Sequence, residues 1–160
     1  MAIRGHGDRR NVRGEYFAHS SLVGYGYGTA LVRCDGSGNT PPVLAWGTGK
    51  AGDQDNFVTA STGASGEEFV GVLLSDVQSV DRTQNPFWAQ YYTSATTQCR
   101  PVNVLTEGYV LLNNTTGTPA YGDATLGPLG TFQVGGNVVA GKFGGVADGN
   151  GYVKLSVDVV

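Results

Sequence analysis

The chain has 160 residues, the usual size of one domain whose core is large enough to fold without disulfides or a metal. Glycine contributes 26 residues and charged side chains only 14%, which argues against helical bundles and coiled coils, because those are rich in Ala, Leu, Glu and Lys. No apolar run is long enough to span a bilayer, and the N-terminus lacks the apolar stretch of a signal peptide. We therefore predict a soluble all-β protein that is made without a secretion signal.

The charge is unevenly distributed along the chain. Residues 15–160 carry six basic and twelve acidic groups, a balance of −6. Residues 1–14 have a balance of +3, because a single aspartate accompanies four arginines: Arg4, Arg9, Arg10 and Arg13. We predict a basic extended arm over residues 1–15 and a single all-β domain over residues 16–160.

The arm has three possible roles. It could bind nucleic-acid phosphates, pair with carboxylates of a protein partner, or remain a solvated tail. Because the rest of the chain is acidic and no basic stripe continues onto a strand, we expect no nucleic-acid partner.

Strand patterns begin after the arm. The first is predicted over Leu22–Arg33, where a period of two places Tyr25 and Tyr27 on one face and three glycines on the other. A turn follows at Asp35–Asn39. Further strands are predicted at Pro42–Trp46, Asn56–Ala60 and Phe69–Leu74.

The second half of the chain has the signals of two hairpins and a final strand. The hairpins are predicted at Val102–Leu112, around Thr106–Gly108, and at Thr131–Phe143, around Gly135–Asn137. Tyr152–Val160 alternates apolar and polar residues. About eight to nine short strands at this spacing predict a sandwich or a barrel with an extended N-terminal arm.

The segment Thr83–Cys99 contains no charged residue and is unusually aromatic. Asn85 and Pro86 could begin a short helix, although an aromatic loop fits the residues as well. In either form its aromatic side chains are candidates for an interface: Phe87, Trp88, Tyr91 and Tyr92.

Signals for catalysis, cofactors and metals are weak. Gly47–Gly52 matches a dinucleotide-binding pattern, but no helical apolar stripe follows it, so a glycine-rich loop is the better interpretation. Asp53 and Asp55 lack the remaining ligands of a calcium loop. His6 and His19 lie in the N-terminal part, where we expect no fixed general base. We therefore predict no enzyme activity, no cofactor, no metal site and no small-molecule substrate, and two free buried thiols rather than a disulfide.

The region from Gly108 to Gly141 is nearly uncharged, with Asp123 as its only charged residue over 34 positions. A soluble monomeric β protein normally protects its surface and strand edges with charges. We expect copies of the chain, or another protein, to cover this region.

The order of motifs resembles the structural cement, or capsid decoration, proteins of tailed bacteriophages. The matching pieces lie between residues 20 and 160, in this order: Gly26–Val32, Phe69–Asp76, Arg100–Val110, Gly117–Asp123, Leu129–Phe132, Ala140–Phe143 and Lys154–Val157. The arginine-rich start and the long aromatic segment at 83–99 depart from the family pattern.

The resemblance implies a virion protein made in the host cytoplasm and bound to the outer capsid surface, where it stabilises contacts between major capsid protein subunits. It also implies a homo-oligomer, expected as a trimer, with no membrane partner. The capsid or oligomer interface is expected to use the arginines of the arm together with Tyr25, Tyr27, Phe87, Trp88, Tyr91 and Tyr92. The alternative is a receptor- or glycan-binding module of a tail or spike, in which Trp88, Tyr91 and Tyr92 stack on sugar rings.

Overall fold

The computed structural model describes residues 9–35, 37–42, 57–77 and 97–159, and for residues 9–15 and 97–101 the backbone alone. Across these residues nine strands form one sheet, which confirms the predicted all-β class. The strands are β1 (Arg9–His19), β2 (Ala30–Cys34), β3 (Phe57–Ala60), β4 (Phe69–Leu73), β5 (Thr97–Leu112), β6 (Gly122–Leu126), β7 (Phe132–Gln133), β8 (Val139–Phe143) and β9 (Val153–Asp158). Two single 3-10 turns accompany them, at Ser20–Leu22 and Pro128–Gly130.

Five of the strands close into a ring. The order β1-β3-β2-β4-β5 returns to its start because β1 also pairs antiparallel with β5, while the β1–β3 pair is parallel. The sheet continues from β5 through β9, β8 and β6 to β7. The fold thus combines a small barrel with a layer of further strands, as the prediction of a sandwich or barrel anticipated.

Two hydrophobic clusters correspond to these two parts. The ring core takes residues from all five ring strands, including Leu31, Val58 and Val104. The outer core joins β2, β4 and β5 to the strands β6–β9, and its largest side chains are Phe132 and Phe143. β2, β4 and β5 therefore contribute to both cores.

Strand β5 shows why one hairpin prediction is wrong. We expected Val102–Leu112 to turn at Thr106–Gly108, but the chain continues as one strand of 16 residues. Leu105 pairs with β4, and Gly108 pairs with β9. Thr106 is buried, and the φ of +130° at Gly108 is one that a glycine adopts without strain within the strand.

Two more strand predictions need correction. Over Leu22–Arg33 the strand begins only at Ala30, because Gly24 and Gly28 have positive φ values that belong to turns. At Thr131–Phe143 both strands exist, but each pairs with β6 instead of with the other. Strand β6 itself was not predicted. The strands predicted at Asn56–Ala60, Phe69–Leu74 and Tyr152–Val160 are confirmed as β3, β4 and β9.

The N-terminal segment differs from the predicted arm over part of its length. From Arg9 onward the backbone belongs to β1 and pairs with β5 as far as Gly108. The boundary predicted at residue 15 thus falls inside a strand that closes the ring. Residues 1–8, residues 43–46 of the strand predicted at Pro42–Trp46 and most of the segment Thr83–Cys99 lie outside the described residues.

Candidate interface

One largely exposed apolar side chain within the uncharged region belongs to the turn Pro128–Gly130, called here the Leu129 turn. Leu129 has φ 55° and ψ 38°, the left-handed conformation that non-glycine residues rarely adopt. It is the one non-glycine residue with positive φ in the described part of the chain. Its side chain is 73% exposed, so packing within its own subunit offsets little of the strain.

Hydrogen bonds hold the Leu129 turn against the β3–β4 connection. The N–H of Gly130 donates to the carbonyl of Ser61 at 2.9 Å, and the Ser61 hydroxyl donates to the carbonyl of Gly127 at 2.8 Å. The Asn114 amide donates to the carbonyl of Gly130 at 2.9 Å. Gly130 is buried, and a Cβ there would lie 2.5 Å from a methyl carbon of Thr29. The turn is therefore fixed from both sides.

A buried carboxylate shapes the β3–β4 connection itself. Glu67 is buried, and its carboxylate accepts from the N–H of Thr62 at 3.1 Å and from the N–H of Gly63 at 2.7 Å. The Asn137 amide donates to the carbonyl of Gly63 at 3.0 Å. Adjacent Glu68 is exposed, so the two carboxylates lie in different environments and do not form a paired acid and base.

A cleft of about 340 Å³, called here the hydroxyl cleft, opens beside the Leu129 turn. Side chains with hydroxyl groups make up much of its lining, together with Ala60, Pro128 and Leu129. No lining residue carries a charge. The hydroxyl-bearing residues are Ser21, Tyr25, Thr40, Thr59, Ser61 and Thr62.

Further exposed apolar side chains lie on the β6–β7–β8 part of the sheet. Val134 and Val139 lie toward the end of β6 at which Thr125 pairs with Gln133 and Val139. Tyr121 is 85% exposed and directly precedes β6 at its other end. The sequence contained the signal for Tyr121 in the motif Gly117–Asp123, but our set of candidate interface residues omitted it.

The outer face of β5, β9, β8 and β6 has a different chemistry. The strand register aligns Tyr109, Ser156, Lys142 and Asp123 in one row across the four strands. The ammonium of Lys154 lies 4.3 Å from the centroid of the Tyr109 ring, within cation–π distance. This face is polar and carries both signs of charge, so it resembles an ordinary solvated surface.

The structure describes only some of the predicted interface residues. Tyr25 and Tyr27 lie in the turns before β2; Tyr25 packs on the ring core and Tyr27 on the outer core. Their rings are half-buried, so they act at least partly in packing. Arg9, Arg10 and Arg13 are placed on β1 by their backbones only. Four aromatic residues and one arginine lie outside the described residues: Phe87, Trp88, Tyr91, Tyr92 and Arg4.

A His–Ser contact near the cleft has a structural explanation. His19 is only 7% exposed, which corrects the expectation that it lacks a fixed position. Its Nδ1 accepts from the N–H of Ser21 at 3.1 Å and lies 2.8 Å from the Ser21 hydroxyl oxygen. The ring thereby caps the Ser20–Leu22 turn, and it packs edge-on against Phe57. The contact is a helix cap and not the beginning of a catalytic triad.

Other reactive groups in the described ranges are few. Burial raises the pKa of the Cys34 thiol to about 12, and the neighbouring Asp35 carboxylate adds to the shift, so the thiol stays protonated at neutral pH. Within residues 9–35, 37–42, 57–77 and 97–159, no three His, Cys, Asp or Glu side chains are grouped to hold a metal ion. Over the same ranges, no helix is long and apolar enough to cross a membrane.

Comparison with known proteins places this geometry in a biological context. A family profile described as XM1 gp53 minor capsid protein matches residues 20–157, which include the outer core, most of the ring core and the Leu129 turn. The chain belongs to this minor capsid protein family. It is therefore a structural protein of a phage virion, associated with the capsid. No curated protein matches the sequence.

Proposed function

We propose that this minor capsid protein is a decoration protein, which binds the outer capsid surface as a homotrimer and stabilises contacts between major capsid protein subunits. The observation that carries the proposal is the nearly uncharged region 108–141, in which the apolar side chains of Tyr121 and Leu129 are largely exposed. Exposed apolar side chains at fixed positions, without charges around them, are typical of surfaces that another protein covers.

The basic N-terminal segment supports a second contact with the capsid. Residues 1–14 have a balance of +3, and the strand β1 begins only at Arg9. A change before Arg9 therefore leaves every described residue of the ring in place. We propose that Arg4, Arg9, Arg10 and Arg13 pair with carboxylates of the major capsid protein, and that the aromatic segment Phe87–Tyr92 adds apolar contacts.

The test is binding to capsids that lack this protein. Purified protein should bind the outer shell, and the decorated capsids should withstand higher temperature than the bare ones. A cryo-electron microscopy map should show density for the chain across the shell surface. Density confined to the tail or a spike would contradict the proposal and favour the glycan- or receptor-binding alternative.

A variant of the N-terminal segment tests the arginine contacts separately. Replacing residues 2–7 by an uncharged glycine–serine segment of equal length removes Arg4, the one proposed arginine that precedes β1, and should leave the melting temperature of the free protein unchanged. Capsid binding should weaken, and the difference from the wild type should be largest at low salt, where charge pairs are least screened. Equal binding by both proteins at low salt would exclude this segment as a capsid contact.

A further inference from the structure

We infer that the Leu129 turn of one copy inserts its leucine into the hydroxyl cleft of the next copy, and that this contact joins the subunits of the homo-oligomer. The inference rests on the proposed function, because it names the surface through which that oligomer forms. It follows from the strain at Leu129, from the neutrality of the cleft, and from the charge of the remaining surface.

The strained backbone of Leu129 holds an apolar side chain in a fixed, exposed position. Leu129 adopts a left-handed conformation that glycine would adopt without cost, and its side chain projects into solvent. The hydrogen bonds from Gly130 to Ser61 and from Asn114 to Gly130 fix the turn before any partner arrives. A preformed apolar projection of this kind loses little conformational entropy when it enters a pocket.

The hydroxyl cleft can accept an apolar side chain. The hydroxyl cleft lies beside the turn, so each copy presents a projection and a recess on the same surface. Three of its hydroxyls already bond within the subunit: the Ser21 oxygen lies 2.6 Å from that of Thr59, and Ser61 donates to Gly127. An apolar side chain can therefore enter the cleft without leaving these groups unsatisfied. Head-to-tail contacts between such neighbouring features can close into a small ring of copies.

The uncharged surface around the cleft suits a second copy as its occupant. Each copy has a net charge of −3, so two copies carry a net repulsion that a contact between uncharged surfaces does not add to. No residue that lines the cleft is charged, and none is charged from Ala124 to Gly141. Two acidic copies can meet here without like charges opposing each other. Tyr121 is exposed too, but Asp123 follows it closely, so its surroundings suit a second copy less well.

The decisive variant is Leu129→Gly. Glycine removes the projection and relieves the strained backbone, so the free subunit should melt at an equal or higher temperature. The wild type should sediment as an oligomer at micromolar concentration, and L129G should dissociate at concentrations at least tenfold higher. The matched control is Val146→Ser, because Val146 is likewise 73% exposed but lies outside the turn and the cleft. Its oligomer should match that of the wild type.

A second variant blocks the recess. Thr62 is exposed at the cleft, and Thr62→Trp should fill it without altering the backbone N–H that bonds to Glu67. T62W alone should not assemble although its Leu129 is intact, which tests the recess separately from the projection. Melting curves of each variant confirm that it is folded.

Three results would overturn the inference. They are a wild type that stays monomeric, an L129G protein that assembles like the wild type, and a folded T62W protein that assembles like the wild type. If L129G assembles normally while the wild type still decorates capsids, the inference fails and the proposed function stands. If L129G loses its oligomer but the wild type never binds capsids, the inference stands and the proposed function fails. If a monomeric wild type loses capsid binding on L129G substitution, the cleft partner is the capsid and not a second copy.

Discussion

Strands β2 and β9 have nearly the same length but bury their side chains in different ways. In β2, Leu31 packs into the ring core while Ala30 and Val32 pack into the outer core. In β9, Leu155 and its neighbours two positions away are buried, and the residues between them are exposed. The cause is position, because β2 has a core on each face and β9 has a core on one face only.

The comparison shows what the pattern of apolar residues reports. A continuous apolar run marks a strand between two packed layers, whereas strict alternation marks a strand with one solvated face. In this protein the sequence Ala-Leu-Val belongs to the first class, and Tyr152–Asp158 belongs to the second. Three experiments test this difference between β2 and β9, and the first has the largest expected effect.

Charged substitutions on β2 should be damaging on both faces. Leu31→Asp and Val32→Asp each place a carboxylate in a core without a partner, at a cost of about 5 kcal/mol or more, which approaches the whole stability of a domain. Both variants should be insoluble or unfolded by circular dichroism. Ser156→Asp, on the exposed face of β9, is the control and should melt like the wild type. A folded Leu31 or Val32 variant would show that β2 has a free face.

Truncation on β9 should instead depend on the face. Leu155→Ala removes a fully buried side chain from the outer core and should lower the free energy of unfolding by about 2–5 kcal/mol. Ser156→Ala, one residue further, should change it by less than about 0.5 kcal/mol. Denaturant titration of both variants gives the comparison. Similar losses at both positions would mean that the outer face of β9 is also covered, for instance in a subunit contact.

The smallest effect concerns the thiol at the end of β2. The pKa of Cys34 is raised from 9.0 to about 12, which favours the neutral thiol in the folded state. This contribution to stability is complete below about pH 9 and is lost as the pH rises toward 12. At pH 8 the thiolate fraction should be about a thousandfold lower than for an exposed thiol.

The measurement uses a Cys99→Ser variant, in which Cys34 is the only thiol. Reaction with a disulfide reagent at pH 8 should be slow in the folded protein and fast in denaturant. Equally fast reaction in both states would show that Cys34 is accessible and that the end of β2 is not enclosed on both faces.

The sequence predicted those elements whose signals are local. The alternation in β9 and the apolar runs of β3 and β4 report burial directly, and all three strands lie where they were expected. The strand predictions were wrong where the pairing of a strand depends on segments far away in sequence. Thr106–Gly108 has the composition of a turn, but β5 continues through it because β4 and β9 receive successive parts of the same strand.

The candidate interface shows the same division. Neutrality of the region 108–141 was visible in the sequence, and so was the motif that contains Tyr121. The role of Leu129 was not, because a leucine in Pro-Leu-Gly-Thr gives no sign of a left-handed backbone or of an exposed side chain. Both properties result from hydrogen bonds with Ser61 and Asn114, which lie far away in sequence. Only the folded chain brings these groups together.

The closure of the ring by β1 and β5 has a consequence for how the protein is made. Arg9 pairs with Gly108, so the strand that leaves the ribosome among the first must wait for roughly 100 further residues before its partner exists. Such distant pairings slow folding, and until they form, β4 and β1 keep unpaired backbone groups along one side. We expect ring closure to be the late step in folding.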